Sequence, residues 1–321
     1  MSGASRQSSG ERTSATIWSR VHRLAGVSFR VKSAFALPHL DHELFEPFRV
    51  SSEVAEVELG IHALDPDARC APPLSPEEQS AAATALGIPR RWLSNELLRE
   101  PRVREVLDSC LRAPELSFVE MAWNRLIFRN HATNHSHLFY PDGGGVSPDR
   151  DEFVARYRNM LCPFFPNFDA VMIHAGAVIR GGKAALFLAH DGGGKTTVVR
   201  TALGSKVLSD DQVILRREKG EIRAHGTPLG RFSSGPVEAP VGGIFLLEKS
   251  RAFSLTSIRL TDVIEFLWNE HRFVWPVLPK SIRAAAFDMV YESCRGIPLH
   301  RMQFRPDSLD WAAVDSVLAR G

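Results

Sequence analysis

The stretch AALFLAHDGGGKTTVVR, Ala184 to Arg200, constrains the fold of this chain more than any other. A short apolar run ends in three glycines, followed at once by a lysine and two threonines. Consecutive glycines weaken any regular element and leave the backbone free to turn its N–H groups toward an anion. The pattern is that of a phosphate-binding loop: a small residue, four variable residues, then Gly-Lys-Ser/Thr. Here those positions are Ala189, His190–Gly193, Gly194, Lys195 and Thr196. Alanine replaces the usual first glycine, which is tolerable where the backbone need not take a positive φ. Gly192, Gly193, Gly194, Lys195, Thr196 and Thr197 are therefore expected to hold the phosphates of a nucleotide. In that arrangement Lys195 reaches the β- and γ-phosphates and the Thr196 hydroxyl ligates Mg²⁺. The bland alternative is a glycine-rich turn that precedes Lys-Thr by chance. The expected context is strand, loop and helix, the helix TVVRTALG ending at Gly204.

The flanking segments extend the pattern. AVMIHAGAVIR and KAALFLA flank Gly181-Gly182 and predict a β-hairpin that feeds the loop. KVLSDDQVILRR is an apolar strand interrupted by Asp210 and Asp211. A carboxylate at a strand end, across from the loop, is what a metal-bound nucleotide requires. With two, one carboxylate holds Mg²⁺ and the other takes a proton from an incoming hydroxyl; otherwise the pair is a polar strand end. His174, in MIHAGAV, reads on its own as a core histidine. Strands KGEIRAHG, VGGIFLLEKS and IPLHRMQF alternate with helices TDVIEFLWNEH and PKSIRAAAFDMVYESC and a final helix from about Asp307. Mixed strands and helices around such a loop predict an α/β core.

The earlier part of the chain has no comparable motif. AGVSFRVKS and SEVAEVELGIHAL have strand character. LSPEEQSAAATALG predicts a helix capped by Ser75, with Pro76 at its first position and Gly87 at its end. A further helix is expected over Arg91–Leu111, interrupted at Pro101, then strands in LSFVEMAWNRLIFRN and a helix capped by Ser147. The domain reading is a disordered tail over 1–17, an N-terminal α+β substrate-recognition region over 18–150, and a catalytic domain over 151–321, with Gly143–Gly145 as a hinge. His131, His135 and His137 lie close in sequence but lack nearby cysteine or carboxylate partners, so a polar turn is the simpler reading.

Composition excludes some classes. A formal net charge of +2 does not imply a broad nucleic-acid surface, which leaves room only for a local basic patch. The apolar runs fall short of the roughly 18–20 residues needed to span a bilayer. The four cysteines lie far apart without a CxxC pair, which reads as reduced thiols of a cytoplasmic protein.

Taken together, IHAGAV, AHDGGGKTT, LSDDQVIL, HGTPLG and APVGGIFLLEKS resemble the catalytic domain of HPr kinase/phosphorylase. The resemblance spans roughly residues 170–305 and is closer to HPr-kinase-related proteins associated with peptide-modification gene clusters. It implies a phosphoenolpyruvate-carboxykinase-like P-loop fold that transfers phosphate from ATP, with Mg²⁺, to a serine or threonine hydroxyl of a peptide or small protein. Under it Thr196 and Asp211 hold the metal, Asp210 accepts the proton, His174 orients the aspartate pair, and Lys195 binds phosphate. Arg231 is the expected transition-state cation, unless it is an exposed loop arginine. The chain departs from the family pattern at Thr197, where a glutamate is usual, and in lacking the later Arg-Gly-Leu-Gly segment. HPr itself is thus not the expected acceptor. A small hydroxylated metabolite as acceptor, or a non-catalytic ATP-binding regulatory module, remains open, as does a homo-oligomeric state.

Overall fold

The computed structural model describes residues 18–320 except 34, 53, 64–70, 94–97, 123–124, 141–148, 203, 271–277 and 308. The expected tail, Ser147, the Gly143–Gly145 hinge and Cys70 lie outside the described residues. The rest is a mixed α/β structure built on two sheets.

The first sheet comprises β1 (Trp18–Leu24), β2 (Val27–Ser33), β3 (Val57–Ala63), β4 (Ser117–Ala122), β5 (Arg125–Asn130) and β6 (His135–Tyr140), in the order β1-β2-β3-β6-β5-β4. The β2–β3 and β3–β6 pairs are parallel and the others antiparallel. Helices α1 (Pro76–Ala85) and α2 (Pro101–Leu111) intervene between β3 and β4. The predicted start of α1 is observed as a capping box: Glu78 N–H donates to the Ser75 hydroxyl, and the Ser75 N–H donates to the Glu78 carboxylate. The interruption expected at Pro101 is observed: Glu100 is extended and α2 starts at Pro101, since proline is tolerated only in a first turn, while Arg90–Trp92 forms a 3₁₀ turn. Both helices pack on one face of the sheet, against Val119, Leu126, Phe128 and Phe139.

The other face is covered by α3 (Arg150–Leu161), capped by Asp149, and by the 3₁₀ segment Cys162–Phe168. The second sheet follows, with β7 (Ala170–His174), β8 (Gly176–Arg180), β9 (Lys183–Leu188), α4 (Lys195–Thr201), β10 (Lys206–Ser209), β11 (Gln212–Glu218), β12 (Glu221–His225), β13 (Glu238–Lys249) and β14 (Ser254–Ser257). Helices α5 (Leu260–Glu270) and α6 (Lys280–Cys294), strand β15 (Leu299–Phe304) and helix α7 (Trp311–Leu318) complete the chain. The strand order is β10-β8-β9-β13-β12-β11-β7, with β15 on β13 and β14 on β15. The β9–β13 and β13–β15 pairs are parallel.

The alternation in β9 shows why this sheet forms. Ala184, Leu186 and Leu188 join the cluster under α5 and α6, while Ala185 and Phe187 join the one under α4 and α7. A strand buried on both faces reads as a continuous apolar run. Each large side chain so buried contributes roughly 1.5–3 kcal/mol.

One expectation is corrected. AVMIHAGAVIR is not one strand: it breaks at Ala175, whose N–H donates to the Asp211 carbonyl, and β7 and β8 pair with different partners. The change of sheet falls between β6 and β7, and the two sheets share a core. Phe29, Val31 and Ile61 of the first sheet share one buried cluster with Phe153 and Tyr157 of α3 and with Met172 and Ile214 of the second sheet. The Phe29 and Phe165 rings lie 5.2 Å apart, and the Arg216 guanidinium donates to the Ala25 carbonyl.

Candidate active site

The glycine-rich loop lies between β9 and α4, so the expected strand, loop and helix are observed. Gly192 and Gly194 take φ of +72° and +104°, a region L side chains rarely adopt. At Gly194 a Cβ would also come within 2.6 Å of the Phe304 ring. The Gly193 N–H donates to the His190 carbonyl at 2.9 Å, closing the turn. Lys195 is buried. Its ammonium donates to the loop's own carbonyls, Ala189 at 2.7 Å and His190 at 3.4 Å. Burial lowers its pKa against the raising effect of Asp211, Asp191, Glu270 and Asp210.

The two aspartates part company at the β10–β11 turn. Asp210 is buried, 2% exposed, and its acceptors are occupied. The Thr196 hydroxyl donates to Oδ2 at 2.9 Å, and the Arg231 and Phe232 N–H groups donate to Oδ1 at 2.7 and 3.1 Å. Gly230 permits this approach, since a Cβ there would run into the Asp210 carboxylate. Asp211 faces the other way, with its side chain 39% exposed. It meets His174 Nε2 at 3.0 Å, and His174 Nδ1 meets Glu270 at 3.0 Å. Glu270 also meets His190 Nδ1 at 2.5 Å. Burial acts to raise the Asp211 carboxyl, but the His174 hydrogen bond and charge, the Gln212 amide and the Arg158 charge outweigh it, and the net shift is downward. At Glu270 burial again acts upward, the hydrogen bonds and charges of His190 and His174 outweigh it, and the net shift is downward.

These groups open on a cleft of about 1130 Å³ between the sheets. Its wall includes His174, Thr196, Asp210, Asp211, Arg231 and Glu270. Among the described residues, Gly192, Gly193, Gly194, Lys195 and Thr197 are not part of that wall. For Lys195 the reason is its attachment to the loop carbonyls.

Several sequence expectations thus meet and others do not. His174 stands beside Asp211, as expected. Thr196, however, pairs with Asp210 and not with Asp211. The Arg231 side chain is 71% exposed and ion-paired to Asp151 at 3.1 Å, while its backbone N–H serves Asp210. Glu270 and Gly230 are not among the site residues that the sequence predicts. Gly230 sits in the HGTPLG motif, a usable signal; Glu270 ends an ordinary amphipathic helix and carries none. His131, His135 and His137 do not converge: His137 pairs with His62 at 3.0 Å, and His131 packs on Phe164. Among the described residues, no helix is long and apolar enough to cross a membrane.

No model of a known protein family matches the chain, and no curated protein matches it either.

Proposed function

We propose that the protein is an ATP-dependent kinase that transfers the γ-phosphoryl group to a serine or threonine hydroxyl of a peptide or small protein. The observation that carries this reading is the division of labour between two adjacent aspartates on one cleft. Asp210 is fixed by three donors, one of them Thr196. Asp211 is open to the cleft and is held by a histidine that a second carboxylate orients. A nucleotide-sensing module has no need of the second arrangement.

The Thr196 hydroxyl and the Asp210 carboxylate form an all-oxygen donor set, which fits Mg²⁺. Bound there, Mg²⁺ would neutralise charge on the transferring phosphates. This reverses the expected assignment: Asp210 is the metal-side carboxylate and Asp211 the proton acceptor. Asp211 takes the proton of the acceptor hydroxyl as its oxygen bonds to the γ-phosphorus. The bond from that phosphorus to the β–γ bridging oxygen breaks, and ADP leaves with the bridging oxygen. Glu270 and His174 keep the Asp211 carboxylate aimed and ionised. Lys195 leaves the loop carbonyls to meet phosphate oxygens. The mixed sheet, largely antiparallel with β9 parallel to β13, supports the phosphoenolpyruvate-carboxykinase-like reading of the loop domain.

The test compares Asp211→Asn with Asp210→Asn. Calorimetry measures ATP affinity, and transfer of labelled phosphate to a peptide pool measures the rate. Asp211→Asn should bind ATP like the parent and lose roughly 10²–10⁴-fold in rate. Asp210→Asn should raise the Mg²⁺ requirement. Near-parental rates in both variants would remove the pair from catalysis. A parent that binds ATP without turnover would instead be a regulatory nucleotide-binding module.

A further inference from the structure

Across the cleft from the acidic strand ends stands a cationic wall. Arg129, on β5, has a side chain only 3% exposed. Its Nε and Nη2 donate to the Asn159 carbonyl at 3.2 and 2.8 Å, and Nη2 also meets Glu120 at 2.9 Å. Its Nη1 is buried and, among the described residues, has no hydrogen-bond partner. The Phe118 ring lies 5.5 Å from the guanidinium. Arg158, on α3, lines the same cleft, and its side chain makes no ion pair or hydrogen bond among the described residues. Arg150, on the same side, donates to the Gly230 carbonyl at 3.1 Å and is ion-paired to Asp151 at 3.5 Å, and its buried Nε has no hydrogen-bond partner among the described residues. Glu120 offsets one of the two positive charges of Arg129 and Arg158, which leaves this wall with an excess of one.

A buried donor on a charged group with nothing to donate to is costly. A carboxylate ligand relieves that cost and matches the planar guanidinium geometry. The nucleotide does not account for this wall, because its phosphates are assigned to the loop on the opposite side. We propose that Arg129 and Arg158 form a subsite for a carboxylate carried by the acceptor, which would set the acceptor hydroxyl toward Asp211. The inference rests on the kinase reading. It makes the acceptor an acidic molecule, the carboxylate coming from a neighbouring side chain or from a chain end.

The experiment uses the full chain and three synthetic peptides with one serine each. The first carries a glutamate beside the serine and an amidated end. The second has no glutamate but a free carboxylate directly after the serine. The third is flanked by lysine and amidated. Fluorescence anisotropy without ATP reports binding; label from ATP reports transfer. At least one carboxylate peptide should bind about tenfold or more tightly than the lysine peptide, the scale of one charge-assisted contact. Whichever binds identifies the source of the carboxylate. Arg158→Gln, at the cleft surface, should remove most of that preference and raise KM for the peptide while leaving KM for ATP unchanged. Arg129→Lys should weaken the same preference. Equal binding of all three peptides, or an unchanged preference in Arg158→Gln, would overturn the subsite. So would a rise in KM for ATP alone, which would assign Arg158 to the nucleotide. Carboxylate-dependent binding without transfer of label would uphold the subsite and overturn the kinase reading.

Discussion

The two sheets differ in what they contribute to the cleft. The nine-stranded sheet supplies the glycine loop and the aspartate pair, both on short connections at strand ends. The six-stranded sheet supplies no comparable motif, yet Phe118, Glu120 and Arg129 from it, with His131 in the turn after β5, line the far wall. The first kind of contribution is local: residues close in sequence perform one task, so spacing reveals it. The second is assembled: Arg129 and Arg158 stand in different elements and meet the aspartates only through the stacking of sheet, helix and sheet. A cleft between two sheets needs both, and one half alone does not define it.

The largest test of that comparison separates the halves. A fragment beginning at Asp151 would strip Phe29, Val31, Leu59 and Ile61 from the cluster that buries Phe153, Tyr157 and Phe165. Losing several large buried partners, at about 3–5 kcal/mol for each phenylalanine equivalent, exceeds the stability of an ordinary domain. The fragment should show no cooperative melting by circular dichroism. A soluble fragment with a sharp transition would establish two separable units.

Next in size is a change inside the loop. Lys195→Ala should cut label transfer by about 10²–10³-fold, the scale of one transition-state contact, and weaken ATP binding. It should leave melting nearly unchanged. Transfer at the parental rate would detach the loop from the proposed chemistry, and with it the contrast between a half that carries the motifs and a half that covers them.

Titration separates the halves more gently. Burial holds His22, His62 and His131, all from the first half, down to a pKa of about 4. An unfolded histidine titrates near 6.5, so the unfolded chain takes up more protons between those values. Stability should therefore fall as pH drops from about 6.5 toward 4, by up to about 3 kcal/mol for each histidine. Asp211 and Glu270 are shifted downward, so their contribution is lost only as pH falls below the ordinary carboxylate range. Urea midpoints against pH measure this, with His131→Gln expected to flatten the curve. A midpoint constant from pH 6.5 to 4.5 would contradict the burial of these histidines.

The smallest effect compares two glycines. Gly194→Ala must accept φ of +104° and the Phe304 contact, whereas Gly181→Ala has φ of +54° and open space around it. The first should cost about 1–3 kcal/mol more than the second, read from denaturant midpoints. Equal costs would mean the loop relaxes freely.

Local signals by themselves determined a good deal of this protein. The capped helix at Ser75, the hairpin turn at Gly181-Gly182 and the strand–loop–helix around Gly192–Gly194 each depend on residues within a few positions of one another, so their chemistry is legible in order. The choice between Asp210 and Asp211 was not legible. Adjacent residues differ in role only through what the fold brings to each: Thr196 and the Gly230 turn to one, His174 to the other. The break at Ala175 that separates β7 from β8 was hidden too, because an apolar run looks the same whether it stays in one strand or crosses between partners. Glu270 and Arg158 stand on amphipathic helices, where a charged residue usually means a solvated face. Long-range packing turned both toward the cleft, and no spacing in the chain encodes a contact between elements that the core alone brings together.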